Sequence, residues 1–142
     1  MPAEPTQPTQ PGEPAGRSGR PAHPVRVRRI YETPSPDDGV RVLVDRLWPR
    51  GLAKTDARID EWPKALTPST ELRRWYHGTE GEYAEFRRRY EAELEAPDAA
   101  AALARLRSLA AEETITLLTA AKDPAMSHTS VLLRELDPGA EA

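Results

Sequence analysis

The chain has no cysteine. That removes disulfides, thiolate metal sites and cysteine nucleophiles, argues against a small secreted scaffold and points to the cytoplasm. Long apolar runs are missing too, since none approaches the roughly 20 residues needed to cross a bilayer. The first 24 residues also lack the apolar stretch of about 7–15 residues that marks a signal peptide, so neither export by that route nor membrane insertion is expected. Excess positive charge is absent: the net charge is −3 and the isoelectric point about 5.7, which weakens the case for nucleic acid, whose sequence-independent binding needs many neutralised phosphates. The eight glycines are dispersed and build no dinucleotide or triphosphate loop. His23, His77 and His128 are scattered, without the spacing of a His-Glu-x-x-His site or an Asp-rich loop, so no cofactor and no dedicated metal are expected.

What is present falls into one domain behind a tail. Residues 1–24 hold seven of the fifteen prolines and, apart from Met1 and three alanines, no apolar side chain. Such a segment cannot bury enough surface to offset its ordering entropy, so it reads as a disordered Pro-rich leader. Residues 25–137 carry the core-forming side chains, and 138–142 read as a flexible C-terminus. Arginine outnumbers lysine 17 to 3, so most positive charge sits on planar forks suited to carboxylate or phosphate oxygens.

Periodicity assigns the elements. Val25 to Tyr31 is β-branched and closed by Pro34, Pro36 and Gly39, which marks a strand and a loop. Val40 to Trp48 places apolar groups on both faces, as in a covered strand, until Pro49 and Gly51 impose a bend. Short helices or turns are expected over 60–66 and 69–76, the second capped by Ser69 or Thr70. The clearest helix is 82–95, with Tyr83, Phe86, Tyr90 and Leu94 on one stripe and Glu/Arg pairs at i,i+4 elsewhere. Pro97 ends it, and Asp98 is suited to cap the alanine-rich helix that follows over 99–111. Thr114 to Ala121 is β-rich and ends at Lys122-Asp123-Pro124; a last helix spans about 128–136. Strands before and after a block of helices predict a small α/β domain in three layers, its short, mostly parallel sheet flanked by helices, with 40–48 and 114–121 joined by a helical crossover. The C-terminal edge of such a sheet is where ligands of open α/β folds sit.

Two segments end at that edge. In the first, Arg46 and Arg50 lie four apart across a Pro-Gly bend, so their guanidiniums can converge on one anion, while Asp45 can orient one of them or act as a base. The bland alternative pairs one arginine with Asp45 and lets the other cap a carbonyl. In the second, Lys122 adds a point charge, Ser127 opens a helix whose first N–H groups suit an anion, and His128 is placed to move a proton, as is Asp123. Ser127 as a mere cap and His128 as a surface residue of the first turn are the competing account. Trp48 offers a ring for stacking, although large aromatics more often fill cores.

The run Arg41-Val42-Leu43-Val44-Asp45-Arg46-Leu47-Trp48-Pro49-Arg50-Gly51, with Trp62-Pro63-Lys64, Leu66-Thr67-Pro68-Ser69, Leu72-Arg73-Arg74-Trp75, Phe86-Arg87-Arg88-Arg89-Tyr90 and Ala121-Lys122-Asp123, closely resembles the YeaO-like family. That family is a domain of unknown function, so the resemblance implies the fold class rather than an activity. More distant relatives look as though they carry a cysteine followed by a histidine where Ser127 and His128 stand here. The departure at Ser127 implies loss of any thiol chemistry, since a serine needs a nearby base to be comparably nucleophilic.

The leading expectation is therefore a protein that binds or acts on a phosphorylated or otherwise anionic small molecule through Arg46, Arg50 and Lys122. The alternative is a module that uses the same basic rim to hold a protein or nucleic-acid partner. No feature marks an oligomer face.

Overall fold

The computed structural model describes residues 24–137; all but the last residue of the expected tail and the whole of the expected flexible C-terminus lie outside the described residues. Three strands, β1 (Val25–Arg29), β2 (Val40–Leu43) and β3 (Ile115–Thr119), form a parallel sheet in the order β1-β3-β2. Five helices, α1 (Lys54–Ala57), α2 (Thr70–His77), α3 (Tyr83–Glu93), α4 (Pro97–Glu112) and α5 (His128–Leu136), complete it with three single 3-10 turns. The α/β class and the parallel pairing of β2 with β3 across a helical crossover agree with the sequence. No helix among the described residues is long and apolar enough to cross a membrane.

Alternation along the strands divides the core. Val25, Val42, Ile115 and Leu117 face one side, where they meet Leu72, Phe86, Tyr90, Leu103, Leu106, Val131 and Leu132 from α2 to α5. Ile30, Leu43 and Leu118 face the other, covered by Ala57 and the partly buried Trp48, Leu52, Ile59, Trp62 and Ala120. The second layer is thus an irregular segment with a one-turn helix, thinner than three full layers would require. Every residue of β3 is buried, as befits a central strand covered on both faces.

Two boundaries differ from the sequence reading for identifiable reasons. β2 stops at Leu43 rather than Trp48, because the chain turns outward after Val44 N–H donates to Leu118 O at 3.0 Å. Helix α4 begins at Pro97, with Ala96 as its N-cap and Asp98 inside the first turn. Proline fits that first position because its missing N–H would have had no partner there. Arg41, inside β2, is buried against Asp38, which also takes Arg28 at 3.0 Å and Arg26 at 3.5 Å. Burial opposes ionisation of Asp38, but the Ser35 amide and the guanidiniums of Arg28 and Arg41 outweigh it and hold its carboxyl below the ordinary value.

Ser69 caps α2, its hydroxyl accepting from Leu72 N–H at 3.1 Å while donating to Glu93 of α3 at 2.7 Å. That bond fixes α2 against α3 and sets the direction in which α2 presents Arg73, Tyr76 and His77. Gly39 (φ 64°) starts β2 so close to the chain before β3 that an added Cβ would lie 2.0 Å from Thr114 O. Only glycine fits such an approach.

Candidate functional site

Beyond the C-terminal ends of β2 and β3 the two turns that follow them face each other across a cleft of about 790 Å³. Its walls are the 45–50 turn, residues 119–128, and the α2 face bearing Arg73, Tyr76 and His77. The volume lies within the range of about 300–1,000 Å³ typical of small-molecule sites.

Asp45 joins the two sides. Its carboxylate accepts from Thr119 Oγ1 and from Ala120 N–H, both at 2.8 Å, and from His128 Nε2 at 3.1 Å. Burial works against its charge, but the bond from His128, then the Ala120 amide and Thr119, prevail and hold the carboxyl below its ordinary value. His128 Nε2 also lies 2.8 Å from Val44 O. Both neighbours are acceptors, so Nε2 carries the proton and the tautomer is fixed. The edge of Tyr90 packs against the imidazole, with centroids 6.1 Å apart. Carboxylate and imidazole thus bind the ends of β2, β3 and the start of α5 into one floor.

Asp45, Arg46, Trp48, Arg50, Lys122, Asp123, Ser127 and His128, all singled out in the sequence, line this cleft. Their states differ. Arg46 donates to the carbonyls of Pro68 and Thr67 through long bonds of 3.3 and 3.4 Å, so part of its fork is spent on the protein. Arg50 and Lys122 are exposed, and their side chains make no hydrogen bond or ion pair with the described residues. Asp123 is exposed and close enough to Tyr76 to help raise its phenol above the usual value, after burial and Tyr83. Trp48 spends its indole N–H on Leu52 O at 2.6 Å and packs edge-on against Trp62, so much of its ring belongs to the minor core.

Ser127 is fully engaged. Its hydroxyl donates to Pro124 O at 2.8 Å and accepts from Thr129 N–H at 3.1 Å, and its carbonyl takes Ser130 N–H at 3.3 Å. Two of the first amides of α5 are therefore satisfied within the protein, and the helix start offers an anion less than the sequence led us to expect. The Ser127 hydroxyl meets a carbonyl and an amide rather than an imidazole, so it has no base to activate it.

One cation escaped the sequence reading. Arg73, on the cleft face of α2, has a buried Nε without a partner in the protein. Its spacing to Tyr76 and His77 (i, i+3, i+4) places all three on one helical face, a signal that was readable, but Leu72 and Trp75 drew attention to the core side instead. Two tyrosines fix the turns: Tyr31 donates to Arg50 O at 3.2 Å and Tyr76 to Met126 O at 2.8 Å. The described residues hold no group of three or more His, Asp or Glu side chains arranged to hold a metal ion.

Comparison with known proteins locates the chain. The profile of the family described as the inactive DUF488-N3 subclade matches residues 24–141. Rv3073c of Mycobacterium tuberculosis is 48% identical over 113 residues, covering 80% of this chain and 93% of that protein; Mb3100c of Mycobacterium bovis matches to the same extent. YeaO of Escherichia coli is 45% identical over 108 residues, covering 76% of this chain and 92% of its own. No solved structure matches significantly.

Proposed function

For a chain that belongs to the YeaO-like DUF488 family, in its inactive N3 subclade, we propose that the strand-end cleft binds a phosphorylated or similarly anionic small molecule without turning it over. The observation that carries this reading is the set of cations on its walls. Arg46, Arg50, Arg73 and Lys122 line it, and the last three have no side-chain partner among the described residues. Asp45, the acid on the floor, is already committed to His128, Thr119 and Ala120, so it does not cancel them at short range. A buried guanidinium nitrogen without a partner is costly, and an anion oxygen in the cleft would satisfy Arg73 Nε.

The binding chemistry follows from the groups. Planar forks at Arg46 and Arg73 suit two oxygens of one phosphate or carboxylate, while Lys122 and Arg50 contribute charge from the rim. Absence of turnover is supported by Ser127, whose hydroxyl is spent as a cap, and by His128, whose Nε2 proton is spent on Asp45 and Val44 O. The word inactive in the family description agrees with that assignment.

Isothermal titration calorimetry with inorganic phosphate, glycerol 3-phosphate and citrate tests the reading. At least one should bind, and Arg73→Ala should weaken it about ten- to a hundredfold, the worth of one charge-assisted hydrogen bond. Unchanged far-UV circular dichroism would show the variant folded. No binding by any anion, or equal binding by wild type and Arg73→Ala, refutes the reading.

A further inference from the structure

Three large apolar side chains are exposed among the described residues: Leu47 at 67%, Met126 at 48% and Tyr31 at 47%. All three line the one cleft that holds the cations. Single exposed apolar residues need no explanation, but their gathering at the mouth of a concave site marks a surface that something covers. They stand on separate segments: Tyr31 follows β1, Leu47 follows β2, and Met126 lies in the turn before α5. Local sequence does not put them together; the fold does.

Their supports are fixed. Tyr76 holds the Met126 carbonyl and Tyr31 holds the Arg50 carbonyl, so the turns are tied by bonds at 2.8 and 3.2 Å. Tyr76 is itself stacked on Phe86, with centroids 4.4 Å apart and planes 19° from parallel. The mouth is therefore bordered by apolar groups whose backbones do not need to be ordered by a ligand, which lowers the cost of binding. Met126 supplies a polarizable thioether and Tyr31 a ring, both of which favour contact with flat π-systems.

We infer that the ligand is a phosphate monoester whose other end is a flat, largely apolar ring system of aryl or nucleobase size, its phosphate toward Arg46, Arg73 and Lys122 and its ring against Tyr31, Leu47 and Met126. The inference rests on the anion-binding reading and adds the ring. A bare anion or a small sugar phosphate would use the cations and leave the apolar mouth in water. The volume of about 790 Å³ is that of a site for a whole ligand of this kind rather than for an ion.

The test compares esters with and without a ring in the full chain. Phenyl phosphate, AMP and CMP are titrated beside glycerol 3-phosphate and inorganic phosphate. The ring-bearing esters should bind at least about tenfold tighter, in line with the burial of one apolar side chain's worth of surface. Leu47→Ser and Met126→Ser, both at exposed positions and checked for folding by circular dichroism, should each reduce that advantage several-fold while leaving glycerol 3-phosphate unchanged. Equal binding of esters with and without a ring, or a loss that falls alike on both, overturns the inference and leaves the anion site standing. Failure of every anion to bind overturns both.

Discussion

Replacing Asp45 with alanine probes the structural centre of the cleft. The carboxylate accepts three hydrogen bonds, at 2.8, 2.8 and 3.1 Å, from two stretches of the chain remote from it in sequence, the end of β3 and the start of α5. A hydrogen bond to a charged group contributes a net of about 1.5–3 kcal/mol, but bonds to a shared acceptor are not additive. The side chain is also 18% exposed, so water can reach some of the donors left behind. A loss of about 3 kcal/mol is expected, near the lower bound for breaking a buried charged cluster. For a domain of this size that is a fall in Tm of about 10 °C. Urea unfolding followed by tryptophan fluorescence is the assay, because Trp62 donates to the Asp45 carbonyl at 2.7 Å and reports on this corner. In a double-mutant cycle with His128→Ala the coupling should be about 1–2 kcal/mol. A cost below about 1 kcal/mol for Asp45→Ala, or additivity with His128→Ala, would refute the claim that this carboxylate holds the floor together.

Other consequences are open to test. Asp38 and Asp45 both titrate below the ordinary carboxylate value when folded, so their contribution is complete above the unfolded value of about 3.9 and is lost as pH falls below it through the folded values. Thermal melts should be flat from neutrality down to about pH 5 on account of these groups and drop below about pH 4, with a shallower drop in Asp45→Asn; an unaltered acid slope in that variant would assign the effect elsewhere. Gly39→Ala should cost more than about 2 kcal/mol, since strain at positive φ adds to the approach to Thr114 O, whereas Gly51→Ala, with φ 77° and open space around it, should cost about 1 kcal/mol. Comparable melting temperatures for the two variants would remove the close-approach argument. Tyr90→Phe takes away the hydroxyl that donates to Leu66 O in the buried core and should lower stability by about 1–2 kcal/mol in urea titrations; a neutral result would mean that Leu66 O finds another donor.

The elements were legible where a periodic stripe had only one solution. Tyr83, Phe86, Tyr90 and Leu94 could share a face only as a helix, and Ile115 to Thr119 between polar ends could only be a covered strand. Boundaries failed where a tertiary bond decides them, as at Val44, whose amide still pairs with β3 while the following residues turn away. Arg41 stood in the sequence only within a strand and the family run; Asp38 lies just three residues before it, but residue types alone do not say that the turn at Gly39 folds the carboxylate back to neutralise it inside the fold. At the cleft, residue types following buried strands pointed to the rim where the cleft lies, since topology alone places strand ends together. Which cations would remain unspent was not legible: Arg46 is partly used by the carbonyls of Thr67 and Pro68, and Arg73 is left over on a helix whose core face gave the stronger signal.

The tyrosine ties that brace the mouth have an evolutionary corollary. Each phenol grips a main-chain oxygen, of residue 50 in one case and 126 in the other, so neither tie depends on which side chain those positions carry. These two residues can therefore be exchanged, altering the chemistry of the opening, without disturbing the loops that display them. The lining of the cleft mouth is free to diversify while its frame stays constant.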